Sequence, residues 1–215
     1  MRVKGFRMYR PLTAIASGPS ASAQNGTHLL EPLLCPKSVA FIGASNRSGS
    51  LGNNMVRTAA MDGYSGRLYA VNPRESEIEG LSCYANLADL PEKVDHAVIA
   101  LADQRVEQAL RNVIENDVMA VTIFTGCDLS DEGDDGLVGR VEAMTREAGI
   151  QMCGPNSMGL LNPRIGLRLN GYFSEIPLTP GNIALIVQSG SVFSALAYNH
   201  PRLKFSFCAS TGREL

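Results

Sequence analysis

Tryptophan is absent from this sequence of 215 residues, histidine occurs three times, and no apolar run approaches the roughly 18–20 residues of a membrane helix. The 19 Lys and Arg residues do not exceed the 21 Asp and Glu residues, so the basic excess of a duplex-binding surface is missing. The five cysteines form no CxxC pair and no zinc-binding spacing. These absences exclude nucleic-acid and membrane partners and a zinc ribbon, and they predict no metal site. An odd number of cysteines is typical of a reducing compartment, so we expect a cytoplasmic protein.

Residues 1–29 differ in composition from the rest of the chain. Met1–Arg10 is basic without an acidic residue, and Ser17–Gly26 is rich in Ser, Ala and Gly without apolar periodicity. An Arg- and Ser-rich, acid-poor segment is compatible with a transit peptide. A misplaced start codon or a disordered segment explains the same composition, and we predict a disordered N-terminal extension over 1–29.

From Leu29 onward, short apolar segments alternate with segments of helical spacing. Strands are predicted over 38–43, 67–71, 94–101, 120–124 and 150–153, and helices over 54–61, 103–116 and 137–148. Strands separated by helices form βαβ units, whose crossovers are right-handed and whose sheet is parallel. The sequence therefore predicts an α/β fold, with a Rossmann-like parallel sheet over residues 30–160.

A second, shorter unit follows a segment rich in Pro, Gly and Asn. Residues 161–181 lack helical periodicity and are predicted to be a linker with room for a hairpin. Strands are predicted over 182–187 and 204–209, with a helix over 191–198 between them. Two strands and one helix cannot cover both faces of a parallel sheet. We therefore expect an incomplete domain over 182–215 whose uncovered strands make the chain an oligomer.

A loop rich in small residues joins the first predicted strand to the helix after it. Its candidate ligand-binding residues are Gly43, Ala44, Ser45, Arg47, Gly49 and Gly52. Small residues let backbone amides approach a phosphate, and a helix N-terminus adds partial positive charge. The loop is neither a dinucleotide GxGxxG fingerprint nor a P-loop, since Ser45 replaces the second glycine and no GKS or GKT follows. An ordinary Gly-rich turn between strand and helix stays open as the structural alternative.

The second predicted strand ends in Asn72-Pro73-Arg74. In NAD sites an acidic residue at this place accepts hydrogen bonds from the ribose hydroxyls. No acidic residue stands here, and the guanidinium of Arg74 favours a phosphate instead. The sequence therefore disfavours NAD and favours a ligand with an additional phosphate near its ribose, a property that NADP and coenzyme A share.

The remaining polar segments are weaker candidates. Ser189, Gly190 and Ser191 join a predicted strand to a predicted helix, so their amides form a candidate phosphate site at the helix N-terminus. The histidines, at 28, 96 and 200, have no acid or nucleophile at a useful spacing, and we predict no catalytic residue. The acidic run 128–135 is predicted to be a solvated loop, because its spacing does not match an EF-hand.

Five ordered segments together resemble the NDP-forming, or ADP-forming, acyl-CoA synthetases of the acetate–CoA ligase family, and more distantly the alpha subunit of succinyl-CoA synthetase. The segments are PKSVAFIGAS at 36–45, GRLYAVNP at 66–73, NLADLPEKVDHAV at 86–98, GPNSMGLLNP at 154–163 and IALIVQSG at 183–190. Each segment alone is unspecific. Their order and spacing carry the resemblance, which covers residues 29–215.

The resemblance implies that residues 30–160 form a CoA-binding domain. The loop 43–52, Asn72-Pro73-Arg74 and the turn at Ala102 would then hold the nucleotide end of CoA. Residues 182–215 would begin a flavodoxin-like domain, whose helix N-terminus at 189–191 resembles one that cradles a phosphohistidine. The implied reaction is acyl-CoA + ADP + phosphate ⇌ acid + CoA + ATP, with ADP, ATP and Mg handled by an ATP-grasp domain or subunit.

His200 lies outside every matching segment, so the resemblance assigns it no phosphoryl-carrying role. The chain is therefore predicted to be the CoA-binding portion of a ligase, inactive without its ATP-grasp partner. Many relatives have Cys where this sequence has Ser157, a departure that we expect to be tolerated. Two alternatives stay open: a CoA-sensing regulatory module of a protein lysine acetyltransferase, and an NADP-linked oxidoreductase domain.

Overall fold

The structure is a computed structural model that describes residues 28–128, 136–200 and 202–213. The predicted N-terminal extension lies outside the described residues up to position 27, as does the acidic run from 129 to 135. The described part of the chain folds into two β-sheets and five α-helices.

The first sheet has seven strands. They are β1 (Ser38–Ile42), β2 (Arg67–Val71), β3 (Glu77–Ile78), β4 (Leu81–Tyr84), β5 (His96–Ile99), β6 (Ala120–Ile123) and β7 (Gln151–Cys153). The helices of this part are α1 (Glu31–Leu34), α2 (Leu51–Met61), α3 (Val106–Glu115) and α4 (Leu137–Ala148). The strand order is β3-β4-β2-β1-β5-β6-β7, and every neighbouring pair is parallel except β3 with β4. This mostly parallel sheet confirms the predicted α/β, Rossmann-like fold.

Local sequence explains the central elements of this sheet. β1 is buried at all of its positions, as a strand covered on both faces requires. α3 buries Val106, Leu110 and Val113, which lie on one face at helical spacing. On its other side, Glu107 accepts hydrogen bonds from Arg111 and Arg140, and these guanidiniums hold the pKa of the Glu107 carboxyl below its usual value.

The sequence analysis missed a hairpin made of β3 and β4, called here the 77–84 hairpin. Its strands have two and four residues, and Ile78 is its buried apolar side chain. The turn between them is formed by Glu79 and Gly80, at φ 52° and 78°. Strands this short have too few residues to show the alternation of apolar and polar side chains that predicts a strand. Glu at position 79 also gives no sign of a turn, because Glu rarely adopts a positive φ.

The second sheet has four strands and one helix. The strands are β8 (Gly159–Asn162), β9 (Leu167–Asn170), β10 (Pro180–Val187) and β11 (Phe205–Ser210), and the helix is α5 (Gly190–Asn199). The order is β10-β11-β8-β9, with β10 and β11 parallel and the other two pairs antiparallel.

Two expectations for this region need correction. The segment 161–181 was expected to be a linker with room for a hairpin, and a hairpin is present. Its strands β8 and β9 are buried throughout; β8 pairs with β11, and β9 pairs with β8. The first half of this stretch therefore belongs to the sheet, and only residues 171–179 form an irregular connection. The strand predicted over 204–209 was expected to lack neighbours, but β11 lies between β10 and β8. Exposed apolar side chains remain on β10, at Ile183 and Ile186.

The two sheets share one apolar cluster. It joins Phe41 of β1 and Met55 of α2 to Leu160 of β8 and Leu169 of β9, and all four side chains are fully buried. α2 packs against β1, β2 and β9. The division of the chain at residues 160 and 182 stays a prediction, but the β8–β9 hairpin contributes to the core of the first sheet.

A buried ion pair in this region fixes the C-terminal end of α2. Arg168 on β9 donates from Nε to Oδ2 of Asp62 over 2.6 Å, and the two side chains are 0% and 8% exposed. The other guanidinium nitrogens donate to the carbonyls of Ser174 and Ile176 at 3.1 and 2.8 Å. Asp62 Oδ1 accepts the amide of Leu178 at 3.1 Å. These additional hydrogen bonds compensate the desolvation of both charges.

Several other titratable side chains are buried and serve as core residues. All five cysteines are free, and burial raises the pKa of Cys127 to about 11 and that of Cys208 to about 12. Both thiols therefore stay protonated near neutral pH. His96 contacts Thr122 Oγ1 at 2.8 Å, and desolvation lowers its pKa to about 3. The ring is therefore neutral under ordinary conditions.

Of the helices in the described ranges, none has the length and apolar character needed to cross a membrane. Across the same residues, His, Cys, Asp and Glu side chains form no group of three or more that could hold a metal ion.

Candidate functional site

Two contiguous cavities lie at the carboxyl edge of the first sheet, where β1, β2 and β5 end. They share Gly43, Asn72, Leu101 and Arg105 as lining residues. The first has a volume of about 380 Å³ and the second of about 460 Å³. Ligands of open α/β sheets bind at this edge, so the position marks the cavities as the candidate site.

The first cavity combines apolar walls with two arginines. Its apolar lining includes Ile42, Val71, Leu87 and Leu101. Its polar lining includes Arg74, Asn86, Arg105, Gln108 and Asn112. An apolar slot with amide and guanidinium groups at its border is suited to an aromatic ring that carries a phosphate nearby.

The second cavity is bounded by the loop 43–52 and the first turn of α2. Its lining includes Ala44, Ser45, Arg47, Ser50, Leu51, Gly52, Ala102 and Thr125. Ser50 is the N-cap of α2, and its side chain accepts the amide of Asn53 at 3.2 Å. The start of the helix therefore brings its partial positive charge to this cavity.

Gly43 and Gly52 are required by two close approaches, one between the loop and the end of β5 and one between α2 and the loop. Gly43 has φ 90°, and a Cβ at this residue would lie 2.5 Å from the carbonyl oxygen of Ala100. A Cβ on Gly52 would overlap the carbonyl oxygen of Gly43. Their small size thus lets the strand end and the helix approach each other. Gly49 differs, because it has φ 73°, open space around it, and lines neither cavity.

Asn72 connects the end of β2 to the loop. Its Nδ2 donates to the carbonyl of Ala44 at 2.8 Å, and its Oδ1 accepts the amide of Arg74 at 2.9 Å. Its own amide donates to the carbonyl of Tyr84 at 2.9 Å. Both ends of the side chain are engaged by protein, so Asn72 shapes the cavity wall and orders the backbone that carries Arg74.

Three arginines at the cavities, Arg47, Arg74 and Arg105, form no ion pair with a carboxylate of the described residues. Arginines that do form such pairs are Arg57, Arg67, Arg111, Arg140, Arg146, Arg168 and Arg213. Guanidinium groups without an acidic partner create positive potential in a cleft. The arrangement is therefore suited to a ligand with several phosphate groups and an apolar ring.

The structure brings together most of the residues that the sequence singled out for cofactor binding. Those that line a cavity are Gly43, Ala44, Ser45, Arg47, Gly52, Asn72, Pro73, Arg74 and Ala102. The sequence analysis missed Arg105, Gln108 and Thr125, which also line the cavities. Thr125 directly follows the fourth predicted strand, and Arg105 lies three residues past Ala102. Inspection of every strand end along the same edge would have found both.

The turn after β7 connects the carboxyl ends of the two sheets. The amide of Gly154 donates to the carbonyl of Thr211 at 3.1 Å, and the amide of Asn156 donates to the carbonyl of Thr125 at 2.8 Å. Ser157 in the same turn is 3% exposed and donates to a carbonyl of β11 at 2.5 Å. The turn thus borders the second cavity on one side and the second sheet on the other.

Ser189, Gly190 and Ser191 lie at the N-terminus of α5. Ser189 is the N-cap, and its Oγ accepts the amide of Val192 at 3.4 Å. Gly190 packs against Met158, which follows the turn after β7. None of the three predicted phosphate-binding residues lines either of the two cavities.

The family model for a CoA binding domain matches residues 37–163. This chain belongs to that family. The matched residues run from β1 to β8 and contain all the residues predicted for cofactor binding, whereas the predicted phosphate residues at 189–191 lie beyond them.

Two curated relatives extend the likeness past the family match. The chain is 32% identical over 196 residues to the ADP-forming acetate–CoA ligase II of Archaeoglobus fulgidus, which covers 86% of this chain and 28% of that protein. It is 34% identical over 201 residues to a trans-feruloyl-CoA synthase from an unknown prokaryotic organism, which covers 86% of this chain and 27% of that protein. The chain therefore spans less than a third of the length of these relatives.

A solved structure agrees with these relatives. The dinucleotide-forming acetyl-coenzyme A synthetase 1 of Candidatus Korarchaeum cryptofilum, in complex with phosphate and ADP, superposes with a TM-score of 0.78 at 29% identity. The superposition covers 85% of this chain and 39% of that one. The resemblance to the ADP-forming acyl-CoA synthetases is thereby confirmed, and the chain corresponds to the CoA-binding portion of ADP-forming acid–CoA ligases.

Proposed function

We propose that this protein binds coenzyme A across the two cavities, as part of an ADP-forming acid–CoA ligase. One observation carries the proposal: Arg47, Arg74 and Arg105 surround a partly apolar cleft and have no carboxylate partner among the described residues. CoA offers three phosphate groups and an adenine ring, which suit guanidinium groups and apolar walls respectively. The family match over 37–163 supports the same ligand.

In this proposal the first cavity receives the adenosine end of CoA. Leu87 and Leu101 offer apolar surface to the ring, and Asn86 offers it a hydrogen-bonding amide. Arg74 and Arg105 would hold the 3′-phosphate, because both line this cavity and lack an acidic partner in the described residues. NADP carries a phosphate on the corresponding ribose, so it is the necessary competitor in any test.

The diphosphate would lie in the second cavity, against the loop 43–52 and the start of α2. Arg47 and the helix N-terminus supply the positive charge there. The cavity continues to Thr125, which accepts a hydrogen bond from the turn after β7. The pantetheine arm would follow this direction, which brings the thiol toward the turn and away from the arginines of the first cavity.

The full reaction is proposed to require a partner domain or subunit of the ATP-grasp type, which would handle ADP, ATP and Mg. The short coverage of the relatives supports this, since the chain matches 28% and 27% of their lengths. Ser189, Gly190 and Ser191 are proposed as the phosphate site that works with this partner, supported by their place at the start of α5. We expect the chain alone to form no ATP from acetyl-CoA, ADP and phosphate, and ATP formation above background would contradict this.

The acid substrate is not assigned by the region described. Relatives of 32% and 34% identity are named for acetate and for ferulate, so identity in this region does not distinguish small from aromatic acids.

The protein is also proposed to be cytoplasmic and oligomeric. Five free cysteines suit a reducing compartment, and the exposed Ile183 and Ile186 on β10 offer surface for association.

Thermal unfolding with added ligand tests the proposal. CoA at about a hundred times its dissociation constant should stabilise the folded chain by about 2.7 kcal/mol. NADP and NADH at the same concentration should raise Tm far less. A larger rise with NADP than with CoA would favour the oxidoreductase alternative, and no rise with any of them would contradict a nucleotide site at these cavities.

A further inference from the structure

The 77–84 hairpin is bonded to the loop that we propose for the CoA diphosphate. Asn53, which is 1% exposed, donates from Nδ2 to Oε1 of Glu79 at 2.6 Å and to the carbonyl of Ser45 at 3.1 Å. One amide group thus connects the hairpin turn to the loop backbone. Glu79 lines neither cavity, so it makes no direct contact with a ligand bound there.

A second asparagine strengthens the connection. Asn46, at the exposed tip of the loop, donates from Nδ2 to the carboxylate of Glu75 at 2.7 Å and to the backbone carbonyl of Glu77 at 2.9 Å. The side chain of Glu77 takes no part in this bond. A substitution of Glu77 therefore changes the charge of the hairpin without removing a contact to the loop.

These bonds determine the direction in which the loop amides face. A peptide unit is planar and trans, so a carbonyl that is held on one side directs the next amide to the opposite side. Asn72 holds the carbonyl of Ala44, and Asn53 holds that of Ser45. The amides of Ser45 and Asn46 are oriented as a result. Among the described residues, neither amide donates to a protein acceptor, so both remain available to an anion.

Glu79 has two unfavourable properties at this place. Its carboxylate adds negative charge beside a site proposed for phosphates, and the partly exposed Arg57 guanidinium, 3.9 Å away, offsets this charge only in part. It also adopts φ 52°, a backbone conformation that side chains other than Asn, Asp and Gly rarely take. Both disadvantages are explained if the hydrogen bond from Asn53 to Glu79 keeps the loop 43–52 in its conformation.

We propose that Glu79 is a positioning residue for the phosphates of CoA. Through Asn53 it holds the loop 43–52 in the conformation that orients the amides of Ser45 and Asn46 toward an anion. The identity of the ligand rests on the proposed function. The conformational part does not, because the hydrogen bonds to the loop are present in the protein without any ligand.

The test compares Glu79→Ala with two variants. Glu77→Ala removes the same charge from the same hairpin but leaves its carbonyl bond to Asn46. Glu79→Gln loses the ion pair with Arg57 but keeps an acceptor for Asn53. Calorimetry of the 215-residue chain with CoA and with dephospho-CoA gives the affinities. Backbone 15N relaxation of residues 45–47 without ligand gives the order parameters of the loop. Glu79→Ala should weaken both ligands by the same factor, roughly tenfold, and should lower these order parameters. Glu79→Gln should stay near wild type because its amide oxygen still accepts from Asn53.

Charge alone predicts the opposite sign. If Glu79→Ala and Glu77→Ala both bind CoA as tightly as the wild type or more tightly, the proposal is overturned. Unchanged order parameters at 45–47 in Glu79→Ala overturn it as well. Should Glu79→Ala fail to fold, Glu79→Asp replaces it: Asp tolerates the left-handed turn and keeps the charge, but is too short to reach Asn53, so it should lose the same affinity. A wild-type chain that binds no CoA, but whose loop order parameters still depend on Glu79, would refute the proposed ligand and leave the effect of Glu79 on the loop conformation standing.

Discussion

The N-termini of α2 and α5 begin alike but have different surroundings. Each follows a strand, and each has a serine N-cap, Ser50 or Ser189, whose side chain accepts the amide of the third residue after it. The start of α2 faces a cavity of about 460 Å³ that Arg47 and Arg105 also line. At the start of α5, Val192 is 44% exposed, and the lining of the two cavities includes none of its residues.

A helix start supplies only a partial charge, and we infer that the residues around it decide whether it can hold an anion. α2 is held in place at both ends, by Asn53 and the 77–84 hairpin at its start and by Arg168 at Asp62 at its end. The corresponding neighbours of α5 are proposed to come from a partner. Substitutions around the two helices test this comparison, and the largest effect is expected at the end of α2.

Removal of the anchor at the end of α2 should have the largest effect. Asp62→Ala leaves Arg168 buried without its carboxylate, and breaking a buried pair in this way costs about 3–5 kcal/mol. Urea denaturation should show this loss of unfolding free energy. The double variant Asp62→Leu with Arg168→Met removes both charges and should recover much of it. A loss below about 1 kcal/mol in Asp62→Ala would mean that α2 does not depend on this anchor.

The stability of the chain should fall in acid because of His96, which lies at the amino end of β5, opposite the cavities. Its pKa is lowered to about 3 in the folded protein, so the unfolded chain takes up the proton first as pH falls below about 6.5. The contribution of the neutral His96 ring to the free energy of unfolding is complete above that pH. It is lost toward pH 3, at about 1.4 kcal/mol per pH unit. Between pH 6.5 and 4.5, His96→Gln should therefore show a shallower decline of unfolding free energy than the wild type. Equal slopes of unfolding free energy against pH in the two proteins would mean that the His96 ring is solvated in the folded chain.

Loss of an arginine at the first cavity should weaken CoA by roughly tenfold or more, the effect expected for a charge-assisted hydrogen bond. Arg74→Ala and Arg105→Ala should each do so, while dephospho-CoA, without the 3′-phosphate, should respond little. Arg164→Ala is the matched control, because this exposed arginine lines neither cavity. Equal losses for CoA and dephospho-CoA would assign the two arginines to another part of the ligand.

The N-cap serines should give the smallest and most direct contrast. Ser50→Ala and Ser189→Ala each remove a cap and should each cost about 1 kcal/mol of stability. Only Ser50→Ala should also weaken CoA binding, by a few fold. If Ser189→Ala weakens CoA equally, the start of α5 already takes part in the site without a partner.

The sequence predicted the candidate site better than it predicted the second sheet, and the reason is physical. Strands such as β1 are continuous apolar runs, and the residues after them meet at one edge by the geometry of a parallel sheet. That rule predicts that Gly43 and Arg74 lie at one edge, whereas Ala102 was implied by the family resemblance. The same rule applies to Arg105, which lies three residues past Ala102 at that edge.

The β8–β9 hairpin could not be predicted in the same way. Its strand β9 reads Leu-Arg-Leu-Asn, which is typical of a strand with one face in water, yet Arg168 and Asn170 are fully buried. The charge of Arg168 is matched by Asp62, which lies far away in the sequence. Likewise, nothing local indicates that Glu79 reaches Asn53. Long-range polar contacts of this kind leave no periodic pattern in the chain.

The central claim is that the carboxyl edge of the first sheet recognises the phosphates of CoA, and one titration series tests it most directly. Calorimetry of the wild-type chain with CoA, dephospho-CoA and NADH should give at least about tenfold tighter binding for CoA than for dephospho-CoA, and the weakest binding for NADH. Equal affinity for CoA and dephospho-CoA would remove Arg74 and Arg105 from the account. Tighter binding of NADH than of CoA would contradict it altogether.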